Sequence, residues 1–135
     1  MLFKKERIRN YDEVRYRISG MRGSRDYEII SNDRSAEVSE YAIRYAGEES
    51  RVLERRVLCD NEMMIEIMNV CEVMSWNGFS GKHPIGVTDG EMLDFRALVN
   101  DGKIITASGS ENFPKHFREF HKEILRILSE NNSVL

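Results

Sequence analysis

The chain first changes its hydrophobic period at Asp60, and that switch constrains the fold more than any other feature. Before it, apolar and polar residues alternate. Val14, Tyr16 and Ile18 form one such series, residues 26–31 a short second one, and Tyr41, Ile43 and Tyr45 a third against Glu40, Ala42 and Arg44. A period of two marks half-buried strands. After Asp60, Met64, Ile67, Met68, Cys71 and Met74 fall on one side of a helix, and Glu62, Glu66, Asn69 and Glu72 on the other. Strands followed by a helix, rather than strands alternating with helices, point to an antiparallel sheet covered by helices.

The boundaries follow from local chemistry. Gly20 and Gly23 turn the chain after the first strand, Asn32-Asp33 closes the second, and residues 47–50 turn the third into residues 51–59. There Leu53, Val57 and Cys59 share a face, so the two strands read as a hairpin with both apolar faces turned to one core. Asp60 is placed to cap the first amides of the helix, and the acidic first turn suits the helix dipole. At the other end, Gly78 takes the left-handed position past the cap, and Phe79 is expected to fold back onto Met74 in a Schellman ending.

A loop with Gly81, His83-Pro84 and Gly86 leads to a turn at Asp89-Gly90. Leu93, Phe95, Ala97 and Val99 then alternate up to Asp101-Gly102, a strong hairpin signal. A two-residue loop there sets Val99 opposite Ile104, Ala97 opposite Thr106 and Phe95 opposite Ser108. Pro114 suits a first helical position, so the last helix is expected to begin near residues 112–114 and to bury Phe113, Phe117, Phe120, Ile124, Ile127 and Leu128. The expected fold is a single α+β domain over residues 1–135. It is an antiparallel sheet with two helices packed on one face, in the order β-β-β-β-α-β-β-α. Residues 1–13 are ambiguous and 130–135 form a frayed tail.

Composition narrows the function classes. The net charge of −3 gives no overall pull toward nucleic acid or acidic lipid. The basic residues before Asp26 include Arg15, Arg17, Arg22 and Arg25, but Arg15 and Arg17 alternate with Val14, Tyr16 and Ile18 and read as the wet face of a strand. Nucleic-acid binding therefore ranks third. The start of the chain lacks a secretory pattern and no window has the length of a membrane span. Cys59 and Cys71 are too few for a disulfide framework and read as buried free thiols of a cytoplasmic protein.

The sharpest candidate for chemistry is residues 106–110, Thr-Ala-Ser-Gly-Ser, placed ahead of a helix. Amides of Ser108, Gly109 and Ser110 left free at a helix start hold phosphate or carboxylate, with Lys115 adding charge. Glu111 at the mouth opposes an anion, the spacing is not that of a phosphate-binding loop, and a plain strand-to-helix turn needs the same small residues. His83 in the Gly/Pro loop is a candidate base, with Asp89 or Asp94 as its carboxylate partner. Trp76 beside the 77–90 loop either lines a pocket there or anchors the helix end. His116 and His121 are five apart and cannot chelate together; no metal set and no cofactor motif is present. The Met63, Met64, Met68 and Met74 group reads as core.

Taken in series, Trp76-Asn77-Gly78-Phe79, Asp89-Gly90, Asp101-Gly102, Ala107-Ser108-Gly109-Ser110 and Phe113-Pro114-Lys115 resemble a group of uncharacterised bacterial proteins sharing a Trp-Asn/Asp-Gly-Phe, Asp-Gly, Ala-Ser-Gly, Phe-Pro pattern. The resemblance spans roughly residues 36–128. It implies no activity, substrate or cofactor, and Phe117 stands where many relatives carry tyrosine. The leading functional expectation is a small non-catalytic binding module for a small anion or a protein partner, with exposed strand edges leaving room for a homodimer. The alternative is a small enzyme using a His/carboxylate pair near the 77–90 loop.

Overall fold

The computed structural model describes residues 6–82 and 90–130. They fold as β1 (Tyr11–Gly20), β2 (Gly23–Asn32), β3 (Ser35–Ala46), β4 (Glu48–Asp60), α1 (Asn61–Val70), a 3₁₀ turn at Val73–Trp76, β5 (Phe79–Gly81), β6 (Met92–Val99), β7 (Lys103–Ser110) and α2 (Phe117–Glu130). The strands form one sheet in the order β4-β3-β2-β1-β6-β7-β5. Every neighbouring pair is antiparallel except β5 with β7. The α+β class therefore holds, but the element order gains a strand. Phe79–Gly81 is too short to show a period, and its pairing with residues 107–109 is visible only in three dimensions.

Both helices contribute to one core. Met64 and Met68 of α1 and Phe117, Phe120, Ile124 and Ile127 of α2 pack with Val14, Tyr16, Ile29, Val38, Phe95, Ala97 and Ile105 of the sheet. Asp60 caps α1 as its position suggests, accepting from the Met63 N–H at 2.9 Å. Asn69, on the polar side of α1, instead ties down the segment before β1: its Oδ1 accepts from Ile8 N–H at 2.8 Å and its Nδ2 donates to Ile8 O at 2.9 Å.

Four local expectations are corrected. The β6–β7 register is shifted by one residue: Val99 faces Lys103, Ala97 faces Ile105 and Phe95 faces Ala107. Asn100 joins Asp101 in the left-handed region, with φ of 46° and 62°, and Gly102 follows at 118°, giving a three-residue loop. One residue of slip exchanges the two faces of a strand, so Ile105 and Ala107 are buried while Ile104, Thr106 and Ser108 are exposed. In the β3–β4 hairpin, Glu40 faces Arg55 while Tyr41 faces Leu53, so Glu54 is a bulge residue. Leu53 is thereby turned away from Val57 and Cys59, and Ala36 and Val38, rather than Tyr41 and Ile43, meet the helices.

The third correction is at the end of α1, which stops at Val70 because Glu72 is left-handed (φ 57°). The Gly78 N–H donates to Thr106 O at 2.8 Å rather than closing a Schellman ending. The fourth is at α2, which starts at Phe117 and not at residues 112–114. His116 ahead of it is left-handed, with φ 68°.

Candidate functional site

The residues singled out from the sequence are dispersed, and their backbone roles come first. Trp76 is 1% exposed and lies against Phe95, Phe117 and Phe120, with Nε1 donating to Lys115 O at 2.8 Å. It anchors the core. The Lys115 side chain is exposed, and its carbonyl serves Trp76. Ser108, Gly109 and Ser110 are not a turn ahead of a helix. They lie in β7, paired with Asp94, Leu93 and Met92 of β6, and Ser108 and Gly109 also face Ser80 and Gly81 of β5. No helix start follows them directly, because the chain runs on through residues 111–116. A Cβ on Gly109 or Gly81 would collide with the Asn112 carbonyl, so this facing glycine pair exists to let the chain cross close above it. Glu111 folds back on the preceding loop: its N–H donates to Glu91 O at 2.8 Å and its Oε1 accepts from Glu91 N–H at 2.5 Å. His83 and Asp89 lie outside the described residues.

The face of the sheet away from the helices carries a charged lattice set by strand register. Glu28, Arg15, Arg96 and Thr106 stand side by side across β2, β1, β6 and β7; Asp26, Arg17, Asp94 and Ser108 form the next row. These residues, with Arg51, line a hollow of about 550 Å³. Arg17 holds Asp26 at 2.6 Å and Glu49 at 2.9 Å, and these bonds keep its guanidinium more firmly protonated than usual. Arg51 reaches Glu28 at 2.8 Å and lies 4.0 Å above the Tyr41 ring. Arg56 donates to Ser39 Oγ and Tyr41 Oη, both at 2.9 Å. These arginine stems cover Tyr41, leaving it 9% exposed on the face away from α1 and α2.

Arg15 and Arg96 break the alternation of sign. They are directly opposite in register. Arg15 is held by Glu13 at 3.1 Å and Glu28 at 3.2 Å, whereas the Arg96 side chain, 56% exposed, approaches Glu13 only at 3.8 Å. Arg96 therefore has guanidinium N–H groups to spare, beside the hydroxyl of exposed Thr106.

A second polar cluster, between the sheet and α2, escaped the sequence reading. The fully buried Tyr16 hydroxyl meets His121 Nδ1 at 2.8 Å, and Tyr27 donates to Glu40 Oε2 at 2.8 Å. Arg55 grips the same carboxylate with two nitrogens, at 2.9 and 3.1 Å. Burial alone would raise the Glu40 carboxyl, but the bonds from Arg55 and Tyr27 outweigh it and hold it below the usual range. Burial pushes His121 down to about 4, with the Glu40 charge opposing and Arg118 assisting, so the ring is neutral at pH 7. Glu40 read as a wet-face residue; it is 4% exposed on the helix side. The available signal was His121 itself, which falls among Phe117, Phe120 and Ile124 on the apolar stripe of α2.

Among the described residues, no group of three His, Cys, Asp or Glu side chains could hold a metal ion, and no helix is long and apolar enough to cross a membrane. Compared with protein-family models, with curated proteins and with solved structures, the chain matches none.

Proposed function

We propose that the protein is a non-catalytic binding module that takes a small anion on the open face of its sheet. The observation that carries this reading is the direct opposition of Arg15 and Arg96 across β1 and β6. Like charges at opposed sheet positions destabilise the fold, and an anion bridging the two guanidinium groups reverses that cost. Planar guanidinium donors match the oxygens of phosphate or carboxylate in pairs. Thr106 adds a hydroxyl beside Arg96, and Ser108, one of the residues singled out from the sequence, lies one row further on. Asp94 borders the site next to Arg17 and favours a compact anion over an extended polyanion. The enzyme alternative pairs His83 with Asp89 or Asp94, and His83 and Asp89 lie outside the described residues.

The test is a titration with inorganic phosphate at constant ionic strength, followed through backbone amide resonances. The expected result is saturable shifts at Arg15, Arg96, Thr106 and Ser108, with affinity falling at least tenfold in Arg96→Ala, as expected for one charge-assisted hydrogen bond of about 1.5–3 kcal/mol. Equal binding by wild type and Arg96→Ala overturns the reading.

A further inference from the structure

A basic groove on the helix side of the sheet is independent of the open face and has its own recognition chemistry. Two adjoining hollows, of about 450 and 180 Å³, share Ile18, Glu91 and His121 as a common wall. The larger, at the β1–β2 turn and the end of β3, is lined by Arg22, Arg25 and Arg44. The smaller runs along α2 over Phe113, Phe117 and Leu125, with Arg118 and Lys122 at its rim. Five cations thus line the groove against one carboxylate, Glu91, which Arg118 approaches at 3.9 Å. The chain as a whole carries −3.

The three arginines of the larger hollow are weakly engaged. Arg25 lies 3.6 Å from Glu40 and Arg44 3.9 Å from Glu54, both beyond hydrogen-bond length, and Arg22 has no ion pair among the described residues. His121 adds a directed donor. Tyr16 is fully buried, and its hydroxyl has His121 Nδ1 as its one hydrogen-bond partner. If the ring nitrogen donated, the Tyr16 hydrogen would be left without an acceptor. Tyr16 therefore donates, and the neutral ring carries its hydrogen on Nε2. No buried side-chain nitrogen or oxygen among the described residues lacks a partner and Nε2 makes no hydrogen bond among them, so Nε2–H keeps some accessible surface on a ring that lines both hollows.

We propose that this groove binds an anionic amphiphile, a single carboxylate or phosphate head on an apolar chain. The head lies among Arg22, Arg25, Arg44 and the Nε2–H of His121, and the chain lies over Ile18, Phe113 and Leu125.

The probes are decanoate, decyl phosphate, butyrate and decanol, titrated into the full chain by calorimetry and by histidine-selective ¹⁵N resonances. Decanoate and decyl phosphate are expected to bind and to shift His121 Nε2; butyrate is expected to bind at least tenfold more weakly, because each buried methylene contributes to affinity. The double variant Arg22→Glu/Arg44→Glu replaces exposed side chains, and its far-UV spectrum is expected to match wild type while its decanoate affinity falls at least tenfold. Butyrate or decanol binding as tightly as decanoate overturns the proposal, as does unchanged affinity in the double variant. Arg96→Ala is expected to leave decanoate binding unchanged. Loss of decanoate binding in that variant would place the head on the open face, overturning the groove while leaving the open-face site standing.

Discussion

On the helix-covered face, Trp76 meets Phe95, Phe117 and Phe120 at ring distances of 5.1, 5.7 and 5.6 Å, and its one polar atom is satisfied by a backbone carbonyl. On the reverse of the same strands, Arg17 holds Asp26 and Glu49 while Arg15 and Arg96 stand opposed with carboxylates around them. The first arrangement removes large apolar area from water and is where stability resides. The second adds little where its ion pairs are exposed, roughly 0–1 kcal/mol each, although Glu28 within it is buried. A lattice of arginines that contributes little to folding is free to serve recognition, and its one like-charged pair marks where a ligand adds what the fold lacks.

The contrast is broken most severely at Trp76. Trp76→Ala is expected to cost about 3–5 kcal/mol, through lost packing and a stranded Lys115 carbonyl, read as a large fall in the urea midpoint or failure to fold. An intact midpoint would show that the helix side is not the store of stability. The polar cluster under α2 gives the next largest effect, and it depends on pH. The His121 pKa is depressed in the fold to about 4 from an ordinary 6.5, so the unfolded chain binds the extra proton between those values. Stability is therefore full above pH 6.5 and declines as pH falls toward 4, by up to about 3 kcal/mol. Urea midpoints between pH 5 and 7 should show this slope in wild type and lose it in His121→Gln; Glu40, below its usual range, contributes only at lower pH.

Gly109→Ala sharpens the packing side of the comparison. Its Cβ meets the Asn112 carbonyl, and forcing it in is expected to cost about 1–3 kcal/mol by denaturant titration. Asp60→Ala removes the cap on Met63 N–H and should cost about 1 kcal/mol. Arg96→Ala, on the open face, is expected to change stability by less than about 0.5 kcal/mol in the absence of phosphate, since it also removes repulsion with Arg15.

The legible part of this fold was the part written locally. Asp60 announced its helix, the Phe117–Leu128 stripe announced α2, and period-two runs announced the long strands. The departures arose where tertiary contacts or unusual backbone angles won. Asn100 entered the turn and shifted β7 by one residue, Glu54 bulged and turned Leu53 over, and Glu72 and His116 took left-handed conformations that shortened both helices. Glu40 could not be read as buried because its partners, Arg55 and Tyr27, lie 15 and 13 residues away on neighbouring strands. The charged lattice was visible only as scattered alternation. That Arg15 faces Arg96 depends on pairing β1 with β6, across more than half of the chain.

The claim that the bare face binds while the covered face stabilises is tested most directly by phosphate-dependent stability. A ligand that binds only the folded state raises stability with its concentration, by about 2.7 kcal/mol at a hundred times its dissociation constant. Melting temperatures of wild type and Arg96→Ala, measured across a phosphate series at fixed ionic strength, should start together and then diverge, with wild type rising steadily and the variant lagging behind. Parallel curves would contradict the account.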